Sequence, residues 1–258
     1  AAELTSSLPN VIAFVHGGDY VYNGRKFAQW SDWLSHDELR TTADGRVLPI
    51  VPTRGNHDVG EIYDEVFDTP GAKGLNYYHT TLPGGTNLLT LNSNISHAGD
   101  QRVWLAGQLE RLRPESRWLL AQYHRPAYPA VKEPGDAKAA WVPLFEAHDV
   151  DLVFESDGHA LKRTMPIRDD KPDPTGVVYV GEGGLGVPQR TPYSDRWYLQ
   201  APGMSGRGHH LTTASFSGDE LRLVTQGFSV DEKTGRIADP DGETVVFDEV
   251  VMQRRGSD

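Results

Sequence analysis

Four short apolar segments of this chain each end in a loop that is rich in aspartate, asparagine and histidine. Short apolar runs that stop at glycine or proline are typical of buried strands. The four loops are Gly18-Asp19-Tyr20-Val21-Tyr22, Arg54-Gly55-Asn56-His57-Asp58, His124-Arg125-Pro126 and Asp157-Gly158-His159. In open α/β folds, binding sites form at the carboxyl ends of neighbouring strands. We therefore expect these loops to converge on one point.

The pattern along the chain alternates between strands and helices and ends in hairpins. Apolar residues recur at helical spacing in three segments: Arg25–Leu39, Asp100–Leu112 and Ala137–His148. Strands are predicted at Val11–His16, Val47–Val51, Asn87–Leu91, Arg117–Tyr123, Val150–Phe154, Val177–Val180, Leu211–Phe216, Glu220–Gly227 and Thr244–Met252. This order predicts an α/β fold with a mixed sheet, or a pair of sheets, flanked by helices. Because no linker or repeat is present, residues 1–258 are expected to form a single domain.

The charge and composition of the chain disfavour several kinds of partner. The 258 residues carry 25 basic and 36 acidic side chains, and the net charge of −11 argues against binding to nucleic acids or anionic membranes. No apolar run approaches the roughly 18 residues of a transmembrane helix, so no membrane insertion is expected. The absence of cysteine removes disulfides, thiolate metal sites and cysteine nucleophiles. A phosphorylated small molecule stays compatible, because a bound cation reverses the local field.

The side chains in the four loops favour a metal site. Asp, Asn, His and Tyr supply oxygen and nitrogen ligands, which suit Zn, Mn, Fe or Mg rather than Cu(I) or an iron–sulfur cluster. A carboxylate such as Asp19 is able to bridge two ions, and two ions about 3.5–4 Å apart hold a phosphate group and generate hydroxide at neutral pH. Each residue alone also has a structural interpretation as a turn residue or a packed side chain. The ordered set is what favours metal binding.

In this order and spacing, the loops resemble the motifs of the calcineurin-like metallophosphoesterase superfamily and, within it, the bacterial type of the purple acid phosphatase branch. The matching segments are Gly18-Asp19-x-x-Tyr22, Gly55-Asn56-His57-Asp58, His124 at the end of a strand, and Ser156-Asp157-Gly158-His159. The resemblance implies a four-layer α/β/β/α sandwich of two mixed β-sheets flanked by helices. It places the metal site at the carboxyl ends of the strands.

The resemblance also implies an activity. It implies a metal-dependent phosphoesterase that hydrolyses phosphomonoesters or phosphodiesters with a metal-bound hydroxide, acting on a phosphorylated small molecule. His57 would be the catalytic residue that protonates or orients the leaving group, and Arg54 and Arg125 would bind the phosphate through their guanidinium groups. Bacterial members of the branch are often exported, so a periplasmic or secreted location is expected. The oligomeric state stays open.

The family's metal ligands carry over position by position. Asp19 would bridge two divalent or trivalent ions of Fe, Mn or Zn, and Tyr22 and His159 would bind the first of them. The ligands of the second ion would be three side chains: Asn56, His124 and Asp157.

Two departures from the family pattern open alternatives. The first Asp motif, which supplies a carboxylate to the first ion, is not found in this sequence, and Asp157 stands where the family has a histidine. Aspartate would favour Mn, Mg or Fe over Zn. One alternative is a circular permutation in which Asp248 supplies the missing carboxylate. The others are a site with a single ion, and a degenerate, non-catalytic member that binds a phosphorylated ligand or a protein partner.

Overall fold

The computed structural model describes residues 8–37, 41–42, 44–239 and 242–255. Within them the strands are β1 (Phe14–His16), β2 (Ile50–Pro52), β3 (Tyr78–Leu82), β4 (Thr86–Thr90), β5 (Trp118–Gln122), β6 (Leu152–Glu155), β7 (Leu161–Arg163), β8 (Ile167–Arg168), β9 (Lys171–Pro172), β10 (Val178–Gly181), β11 (Met204–Gly206), β12 (His209–Ser217), β13 (Glu220–Phe228) and β14 (Val245–Gln253). The helices are α1 (Phe27–Asp37), α2 (Ile62–Val66), α3 (Asp100–Leu112), α4 (Ala137–Ala140) and α5 (Val142–Ala147). The predicted elements are present with small shifts at their ends, and the predicted end of the first helix lies outside the described residues.

A seven-stranded mixed sheet forms the centre of the fold. Its strand order is β11-β7-β10-β6-β5-β4-β3. β4, β5, β6 and β10 run parallel to one another, whereas β3, β7 and β11 are antiparallel to their neighbours. Every residue of β4 and β5 is buried, as expected for parallel strands that are covered on both faces.

A second layer of strands covers one face of this sheet. It consists of the parallel pair β1–β2 and the antiparallel strands β12, β13 and β14. Val51 and Leu221 from this layer pack against Trp118 and Leu152 of the large sheet in one apolar cluster. Burial alternates along β13, which directs Leu221 inward and leaves the other face of this strand partly exposed.

Helices cover the opposite face of the large sheet. Leu105 and Leu109 of α3 join Trp141 and Phe145 in a second buried cluster. The helix predicted at residues 137–148 is present as two short helices that meet at Trp141. Pro143 explains the break, because proline has no N–H with which to continue the helical hydrogen bonding. No helix of the described residues is long and apolar enough to cross a lipid bilayer.

The two remaining helices hold the loop after β1 in an aromatic cluster. Trp30 of α1 and Tyr63 of α2 are fully buried and pack with Tyr20. The ring of His16, at the end of β1, stacks on Tyr20 with 3.9 Å between the ring centroids. This packing fixes the path of the chain just before and after Asp19.

The fold class is confirmed as a mixed α/β architecture with a large mixed sheet flanked by helices, although the facing layer consists of a parallel pair and an antiparallel sheet rather than one mixed sheet. β1 and β2 are parallel neighbours in one layer, and β5 and β6 are parallel neighbours in the other. The four polar loops follow the carboxyl ends of these four strands. The fold therefore brings two loops from each layer to one edge.

The substitution Leu221→Ala is expected to lower the free energy of unfolding by about 2–5 kcal/mol, because it opens a cavity in the cluster between the two layers. Urea unfolding followed by tryptophan fluorescence measures the change. Val246→Ala on β14, where the side chain is 60% exposed, is the control and is expected to cost less than about 1 kcal/mol. Equal losses in the two variants would contradict the position of this cluster.

Candidate metal centre

The buried carboxylate of Asp58 joins the loops that follow β1 and β2. Its Oδ2 accepts hydrogen bonds from the backbone N–H groups of Asp19 and Gly55, both at 2.8 Å, and its Oδ1 accepts one from Tyr20 at 2.9 Å. Burial raises the pKa of Asp58 to about 6, although these N–H groups favour its charged form. One side chain thus fixes the two loops against each other.

Glycine permits the close approach of these two loops. A Cβ atom on Gly18 would lie 2.6 Å from the backbone nitrogen of Gly55, which no ordinary packing tolerates. Gly18 also has a φ of +94°, which favours glycine, and Asp19 follows it with a φ of +58°. The resulting turn places Asp19 beside the next loop, where its Oδ1 accepts a hydrogen bond from the His57 N–H at 2.8 Å.

Three oxygen atoms gather around Nε2 of His124. Asp19 Oδ2 and Asn56 Oδ1 are each 3.1 Å from this nitrogen, and Asp157 Oδ1 is 3.6 Å from it. One ligand atom each from Asp19, His124 and Asp157 lies within 4.8 Å of the others. The structure therefore brings together the bridging residue and the whole ligand set predicted for the second ion.

The chemistry of this cluster fits a metal cation. His124 Nδ1 lies 2.7 Å from the carbonyl oxygen of Gly17, so that Nε2, which faces the three oxygens, is the ligand atom of the neutral ring. Burial alone would lower the pKa of His124, but Asp157 and Asp19 outweigh that effect and raise it to about 9. The surroundings thus favour positive charge at this point. Nitrogen and carboxylate donors of this kind suit Zn, Mn or Fe.

Lys132 is a residue of the centre that sequence reasoning missed. Its Nζ lies 2.7 Å from Asp157 Oδ1. Burial would raise the pKa of Asp157, but His124 and Lys132 hold it well below the usual range. The two residues are 25 positions apart in the sequence, and the motif that contains Asp157 does not include Lys132. Only the tertiary path of the chain brings them together.

Two predicted ligands of the first ion lie away from this cluster. The side chain of Tyr22 is 81% exposed, and its ring packs beside that of His57 at 5.3 Å. His159 has its backbone N–H bonded to the Glu182 carbonyl, and burial and the nearby cations Arg190 and Lys132 lower its pKa. Their roles as ligands stay predictions.

The alternative that Asp248 supplies a carboxylate finds no support in the structure. Both oxygens of Asp248 pair with the guanidinium of Arg163, at 2.6 and 2.9 Å. This bidentate pair joins β14 to β7 and commits the carboxylate to a structural contact.

His57, Arg54 and Arg125 differ in whether their side-chain atoms are available to a substrate. His57 Nδ1 lies 2.7 Å from the Tyr22 carbonyl oxygen, which leaves its Nε2 available. Arg54 is committed to the fold, because its guanidinium bonds to Asp64 Oδ2, Asn76 Oδ1 and backbone carbonyls. Arg125 is exposed and lines a cavity of about 390 Å³ that also contacts Asn56 and Arg54. Arg125 is therefore better placed than Arg54 to meet a phosphate.

Buried carboxylates behind the centre hold the loop that follows His124. Glu155 accepts the N–H groups of Ala127 and Tyr128, and it pairs with the fully buried Lys162. Glu182 accepts the N–H of Ala130 at 2.8 Å, and burial raises the pKa of Glu182 to about 7. These bonds satisfy buried backbone donors and set the path of residues 127–131.

Comparison with known proteins identifies the family. A sequence profile of the family described as calcineurin-like phosphoesterase matches residues 2–161. Purple acid phosphatase 18 of Arabidopsis thaliana is 31% identical over 203 residues, which cover 69% of this chain and 44% of that protein. An uncharacterized protein of Mycobacterium tuberculosis is 27% identical over 196 residues, which cover 63% and 33%. The structure of purple acid phosphatase PPD1 from yellow lupin seeds matches with a TM-score of 0.79 at 16% identity, covering 98% of this chain and 48% of that chain.

The chain belongs to the calcineurin-like phosphoesterase family, and its relatives place it with the purple acid phosphatase branch. The resemblance inferred from the four loops is thereby confirmed. The chain spans between a third and a half of the length of these curated relatives. The family is described as one of phosphoesterases, and the Arabidopsis relative is a purple acid phosphatase.

The substitution Asp58→Asn is expected to lower the free energy of unfolding by about 2–3 kcal/mol, because the amide nitrogen faces backbone donors that the carboxylate oxygens accept. It is also expected to weaken metal binding by about 10- to 100-fold, since Asp58 positions Asp19. Chemical unfolding and calorimetric titration with MnCl₂ measure the two effects.

Asp231→Asn is the matched control, because Asp231 also accepts backbone N–H groups, from Lys233 and Thr234, but in an exposed turn. It is expected to cost less than about 1 kcal/mol and to leave metal binding unchanged. An Asp58→Asn variant that behaves like this control would contradict the positioning role.

Proposed function

We propose that this chain is a metal-dependent phosphoesterase whose centre is the cluster around His124. The observation that carries the proposal is the convergence of Asp19, Asn56 and Asp157 oxygens on His124 Nε2. A metal ion held by these four residues would polarise a phosphoryl oxygen and lower the pKa of a coordinated water. The proposed reaction is hydrolysis of a phosphomonoester or phosphodiester of a small molecule.

His57 is the proposed proton donor of the reaction. Its backbone N–H is fixed by Asp19, and its Nδ1 is held by the Tyr22 carbonyl oxygen. With the proton of neutral imidazole on Nδ1, Nε2 is open to bind and release a second proton. Protonated His57 would transfer that proton to the leaving oxygen and stabilise the alcohol product. The half-exposed position of the ring keeps it accessible to substrate.

The cavity beside Asn56 is the proposed substrate site. It is lined by Arg25, Arg125 and Asn94, so cations face a site that would take an anion. Asn94 bonds through its amide nitrogen to the Arg54 carbonyl oxygen at 2.8 Å, which holds this wall of the cavity in place. A phosphorylated small molecule fits this polar lining better than an apolar ligand. A periplasmic or secreted location is proposed on the family resemblance alone.

A second candidate function is non-catalytic binding of a phosphorylated ligand or a protein partner. The specific observation in its favour is that Tyr22 points to solvent and His159 does not join the cluster. The cavity and its arginines would then bind an anion without turnover. Metal-dependent turnover excludes this candidate.

The substitutions His124→Ala and Asn56→Ala are each expected to reduce kcat/KM by more than about 100-fold, because each removes a direct ligand rather than an outer partner. The assay uses p-nitrophenyl phosphate and bis(p-nitrophenyl) phosphate in the presence of MnCl₂, ZnCl₂ or an iron salt. His36→Ala, at an exposed position of α1, is the control. Wild-type activity in either ligand variant, or activity that survives EDTA, would contradict the proposal.

The substitution Arg125→Met is expected to raise KM about tenfold with little change in stability, because it removes one charge-assisted contact to the phosphate. Arg54→Met is expected to lower the free energy of unfolding by about 2–4 kcal/mol, because it leaves the mostly buried Asp64 unpaired. Steady-state kinetics and urea unfolding separate the two effects. An Arg125→Met variant with an unchanged KM would contradict the assigned substrate site.

A further inference from the structure

A lysine ammonium lies beside the donor atoms of the centre. Lys132 Nζ is 2.7 Å from Asp157 Oδ1, and the same oxygen is 3.6 Å from His124 Nε2. The Asp157 side chain is mostly buried, whereas that of Lys132 is 37% exposed. The ammonium therefore approaches the cluster from the solvent side and shares one of its oxygens.

The position of Lys132 is set by the surrounding structure. The backbone before it is fixed at Ala127 by Glu155 and at Ala130 by Glu182. Its own carbonyl oxygen accepts a hydrogen bond from Arg196 Nη2 at 3.1 Å. These bonds hold the backbone of the loop from which Lys132 reaches Asp157.

A second cation, Arg190, lies beside the backbone of Asp157. Arg190 Nη1 lies 3.3 Å from the Asp157 carbonyl oxygen and 3.4 Å from that of Gly158. Lys132 and Arg190 both act electrostatically on His159, which the family pattern assigns to the other ion. A divalent cation bound by His159 would meet these two positive charges, and like charges repel.

We propose that the ammonium of Lys132 takes the place of the first ion of the family pattern, so that the centre binds only the second ion, through Asp19, Asn56, His124 and Asp157. The proposal rests on the metal site of the proposed function and specifies its stoichiometry. An ammonium group supplies a positive charge and three hydrogen-bond donors but no ligand atom. It competes with the ion for Asp157 and repels it, and it lowers the affinity of the site for a divalent cation.

The test measures metal binding directly. Elemental analysis gives the number of ions per chain, and calorimetric titration with MnCl₂ gives the dissociation constant. The wild-type chain is expected to bind one Mn²⁺. Lys132→Met keeps the length of the side chain without its charge and is expected to bind Mn²⁺ at least tenfold more tightly. Lys132→Arg keeps the charge and is expected to behave like the wild type.

Lys138→Met is the matched control, because Lys138 pairs with a carboxylate, that of Asp170, at 2.8 Å outside the centre. It is expected to leave the dissociation constant unchanged. Two ions per wild-type chain, or equal Mn²⁺ affinity in the wild type and Lys132→Met, would overturn the inference and leave the proposed hydrolase standing. One ion, tighter binding in Lys132→Met and no turnover would support the inference and overturn the hydrolase. No bound ion in any of these proteins would overturn both.

Discussion

The carboxylate of Asp58 is the interaction on which the centre depends, because it ties the loops after β1 and β2 together beyond the ends of the paired strands. It accepts hydrogen bonds from three backbone N–H groups, two of them buried, and these bonds require the loops after β1 and β2 to stay in contact. That contact sets the position of Asp19, whose own carboxylate then orders the loop containing His57. The ligand geometry is thus a consequence of backbone hydrogen bonding.

The sequence predicts which loop carries each ligand but not how each side chain is oriented. Short apolar runs in the sequence predict the strands that precede four residues: Asp19, Asn56, His124 and Asp157. The topology of parallel strands then brings the loops that carry them to one edge. Tyr22 follows the same motif, but the direction of its side chain depends on the turn around it. The spacing of a motif determines which loop carries a residue, but it does not determine the direction of the side chain.

Contacts between distant segments account for the features that sequence reasoning missed. Arg54 lies in the same loop as Asn56, yet its guanidinium bonds to Asp64 and Asn76. The positions of these two partners depend on how α2 and the loop after it pack. The strand β7 is short and carries the buried Lys162, so its sequence has no apolar pattern from which a strand is predicted. The burial of Lys162 is explained only by its ion pair with Glu155. Such pairs are properties of the tertiary path.

The ion pair with Lys132 explains how an aspartate is accommodated at position 157, where the family pattern has a histidine. An unpaired aspartate would add a negative charge to a cluster that already contains Asp19, and burial would penalise that charge. Lys132 supplies an opposite charge at 2.7 Å, so the pair is neutral as a whole, like the neutral imidazole that it replaces in the family pattern. The pair still differs from an imidazole in one respect, because an ion bound at the proposed centre would share the Asp157 oxygen with the ammonium. This sharing would couple metal affinity to a residue that is not itself a ligand.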